Sequence, residues 1–156
     1  RSGLKGRAMT ADLVEGVSRG ATLLAETLSP LRYLEAVGEI HAFGRQMAAA
    51  FADFDILLSA TLSEPPAKVG RFSHETEDYL AYRIGPKGIF AYSPFCAIFN
   101  ASGQPAASVP LGMSKDGLPI GVHLAAPYGN DEELIAMCAE LEAAQPWAAR
   151  RPAVSA

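Results

Sequence analysis

The sequence has little of three features that would place it in a specialised class of protein. Only two cysteines, Cys96 and Cys138, occur in 156 residues. They are too few for a disulfide framework, which favours reduced, buried thiols and a cytoplasmic protein. No basic cluster is present, since charges of both signs are scattered and the net charge is −4. Nucleic-acid binding is therefore disfavoured. Apolar runs are short and broken by Gly, Pro or charge, which excludes a membrane-spanning helix.

The composition is that of an ordinary globular domain. Hydrophobic residues make up 49% and charged residues 19% of the chain, enough for a substantial core. We therefore predict a single domain over residues 1–156. The chain begins without Met, signal peptide or helix cap, so we expect a piece of a longer protein, either a cloned domain or a cut product.

Two amphipathic helices are predicted in the first third of the chain. Thr10 precedes apolar residues that recur at three- and four-residue steps over residues 13–28. Ser29 and Pro30 then predict an N-cap and a first helical position, where the missing proline N–H costs nothing. The second helix, over residues 33–51, has one apolar stripe and one polar face, so we expect it to lie on a larger body.

Strand patterns follow further along the chain. Residues 55–60 contain an uninterrupted apolar run, which predicts a short strand buried on both faces. Residues 118–124 alternate, and Gly121 on their second face would let a helix approach closely. Asp116 and Gly117 before them predict a two-residue hairpin turn with positive φ at both positions. The stretch from Asn100 to Gly112 is predicted to contain a helix end and the short strand that precedes this turn.

Short helices and a final helix complete the pattern. Residues 61–75 form a loop, residues 76–84 a short helix, and residues 93–102 another that stops at Gly103 in the left-handed conformation. Asn130 predicts the N-cap of the last helix, and Glu133 is expected to reach back to the amide of that cap. Removing the Asn130 side chain is expected to cost about 1 kcal/mol. The side of this helix expected to face inward consists of Leu134, Ile135, Met137, Cys138 and Leu141. The predicted fold class is α/β, with helices packed on a small mixed β-sheet.

Four segments, in order, resemble the amidase signature family. They are FDILLSAT at 54–61, FNASGQPA at 99–106, GLPIGVH at 117–123, and the tail pattern over 131–152. Members often carry Gln where His123 stands and Pro near Ala60, both at structural positions. The resemblance implies that these residues belong to the larger amidase signature fold, as the C-terminal portion of an amidase. The tail looks similar to members that act on aminohexanoate oligomers, although substrates vary within the family.

The resemblance also implies that the catalytic residues of the family do not lie within these 156 residues. The family uses a Ser nucleophile, a second Ser with a cis peptide bond, and a neutral Lys, with backbone N–H groups stabilising the oxyanion. The supporting motif is rich in Gly and Ser, but this chain has no Gly-Gly or Ser-Ser pair, and none of its four lysines lies in a matching motif. No catalytic residue is assigned, and we expect the catalytic residues upstream of residue 1. Neither a cofactor nor a metal is implied.

The loop before the FNASGQPA segment lies near the acyl-binding cleft of the family fold. By that resemblance, four residues are predicted to line a substrate pocket: Tyr92, Phe95, Phe99 and Asn100. The alternative is structural, with the three aromatic rings packed in the core and Asn100 hydrogen-bonded at a helix end. Both interpretations stay open from sequence alone.

Other residues with chemical potential are interpreted as structural. His74 lacks the second His that a zinc helix needs. The segment 85–88 lacks the Ser or Thr that follows Lys in a phosphate-binding loop. Ser102 lacks the flanking glycines of a nucleophile elbow and is predicted to satisfy a helix end. His41 and His123 are interpreted as packing residues of a helix and a strand.

The predicted function is therefore the structural, and in part substrate-pocket, portion of an amidase that hydrolyses carboxylic amides by a Ser–cis-Ser–Lys mechanism. The chain alone is expected to be inactive. Its partner would be a small-molecule amide, with no nucleic acid and no membrane. Because the missing part would leave an apolar patch exposed, a homo-oligomer is also expected. The alternative is a stand-alone, non-catalytic binding or oligomerisation module derived from the same fold.

Overall fold

The computed structural model describes residue 10 and residues 13–151. Within them the elements are α1 (Gly16–Glu26), α2 (Pro30–Ala50), β1 (Leu57–Ala60), α3 (Tyr79–Ile84), α4 (Ile89–Tyr92), α5 (Cys96–Ser102), β2 (Ala106–Met113), β3 (Pro119–Ala125) and α6 (Asp131–Ala144). A 3-10 turn, Phe51–Asp53, follows α2. In this described part, no helix has both the length and the apolarity needed to cross a bilayer.

The chain forms two compact units. The first consists of the described residues up to Val37 together with Ala67–Pro94. The second consists of Gly38–Pro66 together with the described residues from Phe95 onward, and it contains the whole sheet.

Helix α1 begins later than its apolar pattern predicts. The amides of Leu13 and Val14 both donate to the carbonyl of Thr10, at 3.0 and 3.1 Å, which forms a turn before the helix. The helix itself starts at Gly16, where the amide of Val17 donates to the carbonyl of His74 at 3.0 Å. A segment distant in sequence thus satisfies a first-turn amide, which periodicity alone could not indicate. Asp12, whose carboxylate is predicted to complement the positive end of this helix, lies outside the described residues.

The start of α2 is confirmed. Its first residue is Pro30, and the backbone amide of Arg32 donates to Ser29 Oγ at 3.2 Å. The predicted apolar stripe is exposed at its start and covered at its end, where Met47 packs against a buried cluster that contains Phe51. No residue of α2 itself is buried in the described structure. Leu31, Tyr33 and Leu34 are each more than 60% exposed.

The sheet has the order β1-β3-β2, and its three described strands pair antiparallel. The α/β class is confirmed, but the parallel pairing of a mixed sheet is not seen among these strands. The prediction that β1 is buried on both faces is wrong for the described structure. Strand β1 lies at the sheet edge, and Leu58 is 67% exposed.

The β2–β3 connection differs in detail from the predicted two-residue turn. The amide of Gly117 donates to the carbonyl of Ser114 at 3.1 Å, so Lys115 and Asp116 are the central residues of the turn. Gly117 follows them with φ of 76°, the left-handed region that glycine adopts without steric cost. This is the three-residue hairpin loop rather than the two-residue one.

Two apolar clusters in the second unit hold the sheet against its helices. Val109, Leu124, Ala126 and Leu134 form the first, and half-buried side chains of α6 and Trp147 pack against it. Phe51, Phe99 and Ala125 form the second, on the other side of the sheet. Of the residues predicted to face inward from α6, Ile135 is the exception, because it is 67% exposed.

The N-terminus of α6 corrects the predicted cap. The side chain of Asn130 makes no hydrogen bond to a helix amide and instead donates to Glu133 Oε2 at 2.9 Å. The Asn130 amide donates to the carbonyl of Pro127 at 3.0 Å, so Glu133 does not reach back to it. The predicted stability cost for removing the Asn130 side chain therefore loses its structural basis.

Candidate functional site

Tyr92, the first predicted pocket residue, is held by contacts within the first unit. Its hydroxyl accepts a hydrogen bond from the amide of Ala67 at 2.8 Å. The Phe72 ring lies 5.2 Å from the Tyr92 ring, and the guanidinium of Arg71 lies 5.3 Å above the same ring. These contacts fix the loop that begins at Ala67 onto α4.

The other three predicted residues belong to the second unit. Phe95 precedes the first residue of α5 and is half-buried. Phe99 is 4% exposed and belongs to the second apolar cluster. Asn100 follows it on the same helix and is exposed. The structure brings Phe99 and Asn100 together in the wall of one cavity, whose described lining does not include Phe95.

This cavity, which we call the α5 cavity, has a volume of about 360 Å³. Its walls come from α5, from the start of β2, from the middle of β3 and from the residue after β1. The lining residues are Thr61, Cys96, Phe99, Asn100, Gln104, Ala106, Ala107, Ser108 and His123. None of them carries a formal charge at neutral pH when histidine is neutral, so the cavity favours an uncharged occupant.

A row of polar side chains crosses the sheet beneath the α5 cavity. Ser59 and Ser108 are both register partners of His123, one from each neighbouring strand. Ser59 Oγ lies 3.2 Å from His123 Nδ1, and Thr61 Oγ1 shares a hydrogen bond with Ser108 Oγ at 2.6 Å. Gly121 makes room for this second pair, because a methyl group there would overlap both hydroxyls.

That arrangement corrects the role predicted for Gly121. We expected a helix to approach the sheet closely at this residue. Instead, the space above Gly121 is taken by the hydroxyl pair of Thr61 and Ser108.

His123 is a buried histidine in the wall of the α5 cavity. Its side chain is 5% exposed and its ring lies 5.2 Å from the Phe99 ring. Burial lowers the pKa of His123 from its ordinary value, because the charged form is less well solvated there. The ring is therefore neutral at pH 7. The interpretation of His123 as a packing residue accounts for its burial, but not for its place in a cavity wall.

The Ser59–His123 pair is not by itself a nucleophile and base. Acyl transfer also needs preorganised N–H donors for the oxyanion and a group that orients the second ring nitrogen. Ser59 Oγ contacts the carbonyl of Ala60 at 3.4 Å, which is an acceptor and not an oxyanion donor. Among the described residues there is also no cluster of three or more His, Cys, Asp or Glu side chains that could hold a metal ion.

The thiols and the remaining predicted structural residues have ordinary partners. Both cysteines are free and half-buried, and Cys96 Sγ lies 3.6 Å from the carbonyl of Thr61. Ser102 Oγ donates to Gln104 Oε1 at 3.0 Å, at the end of α5. In the first unit, His74 Nδ1 lies 3.0 Å from Glu15 Oε1, in an exposed pair.

The first unit contains a larger, open cleft of about 1000 Å³, lined in part by Glu15, Arg19, Phe72 and His74. Glu15 and Arg19 in this lining already pair with neighbouring side chains. Arg19 Nε donates to Glu77 Oε1 at 2.8 Å, and Arg19 Nη1 donates to the carbonyl of Val14 at 2.7 Å. These contacts give the cleft a structural role in holding α1 against the 73–77 segment.

Sequence reasoning missed Ser59, Thr61, Ser108 and Gln104 as members of this site. One signal could have found the first two, because strand alternation places Ser59 and Thr61 on the same face. Their pairing with His123 and Ser108 depends on the register of three strands, which no local pattern specifies.

Comparisons with known proteins bear on this geometry. A family model described as Amidase matches residues 4–135. The chain is 34% identical over 152 residues to the 6-aminohexanoate-cyclic-dimer hydrolase of Paenarthrobacter ureafaciens, covering 96% of the chain and 31% of that protein. The solved structure of a 6-aminohexanoate cyclic dimer hydrolase complexed with substrate superposes with a TM-score of 0.81 and 31% identity, covering 97% of the chain and 32% of that structure.

A bacterial aryl acylamidase described as an amidase signature enzyme superposes with a TM-score of 0.59 and 28% identity, over 83% of the chain and 27% of that structure. The chain thus spans about a third of the length of the relatives that it matches.

Proposed function

The chain belongs to the amidase family, and on that premise we propose that it forms the C-terminal structural and substrate-pocket portion of an enzyme that hydrolyses carboxylic amides. In this proposal, a Ser–cis-Ser–Lys centre encoded upstream of residue 1 breaks the amide bond. The residues described here carry the α5 cavity and the sheet beneath it. A cytoplasmic location belongs to the same proposal.

The observation that carries the proposal is the match to the family over 132 of the 156 residues, from 4 to 135. The resemblance to hydrolases of 6-aminohexanoate cyclic dimer supports a small linear or cyclic amide as the substrate. Phe99 and Asn100 in the wall of the α5 cavity support a part for this portion in the substrate pocket. The uncharged lining is suited to a neutral amide group.

The test of this proposal compares the 156-residue chain with the longer product of its gene. We expect the longer product to hydrolyse 6-aminohexanoate cyclic dimer or a simple aliphatic or aryl amide. The 156-residue chain should show no hydrolysis above that of a mock purification, because it lacks the Gly- and Ser-rich motif. Product formation is measured by chromatography of the released amine and carboxylate.

Two results would count against the proposal. Hydrolysis by the 156-residue chain that is abolished by Ser59→Ala would place the reactive centre inside it. A stop codon immediately upstream of residue 1 would instead favour the stand-alone, non-catalytic module. The longer product with its own catalytic Ser replaced by Ala is the matched control for contaminating amidases.

We also expect the isolated chain to self-associate. Leu31 and Leu34 are 65% and 64% exposed on α2, and exposed apolar patches of this kind usually acquire a partner. Sedimentation velocity at roughly 100 μM, within the ordinary micromolar range of association, should show a dimer or larger species. The double variant Leu31→Glu, Leu34→Glu should shift the distribution toward monomer. A monomeric wild-type chain at that concentration would contradict the expectation.

A further inference from the structure

We propose that His123 is a ligand-recognition residue of the α5 cavity, whose Nε2 accepts a hydrogen bond from the N–H group of a small, uncharged amide. The inference rests on the proposed function, because it assigns a recognition role within the same substrate pocket. It adds a residue that the family resemblance treats as structural.

The first support is the way in which the imidazole is held. His123 lies in the middle of β3, and its Nδ1 is 3.2 Å from Ser59 Oγ on the neighbouring strand. The ring of Phe99 packs against it with the two planes tilted by 51°. These two contacts fix the orientation of the ring, as a recognition group requires.

The second support is the nitrogen that these contacts leave unused. Among the described residues, Ser59 is the hydrogen-bond partner of His123, through Nδ1, and Nε2 has no protein partner. The side chain is 95% buried, yet it lines the α5 cavity. In the described structure Nε2 is not one of the fully buried side-chain atoms that lack a partner, so it is open to the cavity and can be reached by a ligand.

The proposal gives Nε2 the role of hydrogen-bond acceptor, which corresponds to one of the two neutral tautomers of His123. The carbonyl of Ala60, 3.4 Å from Ser59 Oγ, can only accept, and as part of this proposal we assign the Ser59 hydroxyl proton to it. Ser59 Oγ then accepts from Nδ1–H, which leaves the lone pair of the neutral ring on Nε2. An N–H or O–H group in the cavity would complete this pairing.

The lining selects an uncharged ligand. It has no Lys, Arg, Asp or Glu, so neither a carboxylate nor an ammonium group would find a counter-charge there. Ser108 is already paired with Thr61, and Gln104 donates to the carbonyl of Ala126 at 3.4 Å. The exposed carboxamide of Asn100 supplies both a donor and an acceptor at the same cavity. An amide group, with one N–H and one carbonyl, matches this set.

Two side chains in the described lining of the α5 cavity can change their charge with pH. Besides His123, Cys96 is the titratable side chain in the described lining, and its thiol donates to the carbonyl of Thr61. Burial lowers the pKa of His123, so the neutral form persists at pH 7. Protonation at low pH would convert Nε2 from acceptor to donor.

The experiment uses two ligands that differ in one hydrogen-bond donor. ε-Caprolactam has an amide N–H, whereas N-methyl-caprolactam has none. Each is titrated into the 156-residue chain, and binding is followed by the ¹H–¹⁵N shifts of the residues around the cavity. We expect wild type to bind caprolactam about five- to tenfold more tightly, the effect of one neutral hydrogen bond.

Variants of His123 separate recognition from packing. His123→Leu keeps an apolar side chain in place and should bind both lactams equally weakly. His123→Gln retains an acceptor oxygen and should keep most of the preference for caprolactam. Cys138→Ala, a substitution outside the α5 cavity, is the matched control and should bind as wild type does. Thermal melting of each variant verifies that it is folded.

Three outcomes would overturn the inference. They are equal wild-type affinities for the two lactams, an unchanged preference in a folded His123→Leu variant, and no saturable caprolactam binding up to its solubility limit. Because the readout is binding to the 156-residue chain, it is separate from hydrolysis by the longer protein. An inactive longer protein would contradict the proposed function and leave the measured N–H preference standing.

Discussion

Replacing Leu124 by alanine is expected to lower the free energy of unfolding by about 3 kcal/mol, within the range for a fully buried leucine. Leu124 is 2% exposed and packs with Val109 and Leu134 in the first apolar cluster. Truncation removes the contacts of the Leu124 side chain with Val109 and Leu134 and leaves a cavity between β3 and α6. Urea unfolding followed by the fluorescence of Trp147, the single tryptophan, measures the effect, because that ring packs on the same cluster.

The matched control lies directly across the sheet. Leu58 is the register partner of Leu124, and it is 67% exposed. Leu58→Ala removes the same atoms and should change the free energy of unfolding by about 0.5 kcal/mol or less, as exposed substitutions do. Equal losses of unfolding free energy in the two variants would contradict the conclusion that the core lies between β3 and α6 and does not extend to Leu58.

The exposure of Leu58 also indicates the kind of structural surroundings to which the sequence of β1 is suited. The apolar run at the start of β1 is typical of a strand covered on both faces. The described residues cover one side of it only, so Leu58 stays exposed. A sequence adapted to a larger body is consistent with relatives three times as long.

Local signals in the sequence predicted local features of the fold. Ser29 and Pro30 define the start of α2 because a side-chain cap and a fixed φ act within one turn. Gly103 ends α5 with φ of 77°, as glycine after a helix commonly does. Both depend on residues adjacent in sequence, so one chain suffices to predict them.

Features that depend on distant residues could not be predicted in this way. The start of α1 is set by the carbonyl of His74, far along the chain. Asn130 has a typical capping side chain, but a bond to Glu133 competes with the cap. A tertiary contact thus selects the start of α1, whereas at Asn130 two local arrangements compete and the sequence does not rank them.

The same limit applies to the candidate site. Phe99 and Asn100 could be proposed from the family resemblance, and they do line one cavity. The polar row beneath them could not, because Ser59 and His123 meet only through strand register. The bulge between Val109 and Gly112 shifts that register further along β2 and leaves no signature in the apolar pattern.

The second large effect is expected at Gly20, in the first unit. A Cβ there would overlap the backbone carbonyl of Glu77 and lie 3.0 Å from its Cα. Backbone atoms cannot rotate away as a flexible side chain can, so α1 would have to move from the 75–77 segment. We expect Gly20→Ala to lower the free energy of unfolding by about 2 kcal/mol, because overpacking outweighs the better helix propensity of alanine.

The same substitution at Gly38 should have the opposite sign. Gly38 lies inside α2, is exposed, and has no atom within 4 Å of an added Cβ. Alanine there gains helix propensity without a clash, so Gly38→Ala should raise the free energy of unfolding by about 0.5 to 1 kcal/mol. Denaturation followed by circular dichroism at 222 nm compares the two variants. A stabilising Gly20→Ala would show that α1 does not depend on close backbone contact with the 75–77 segment.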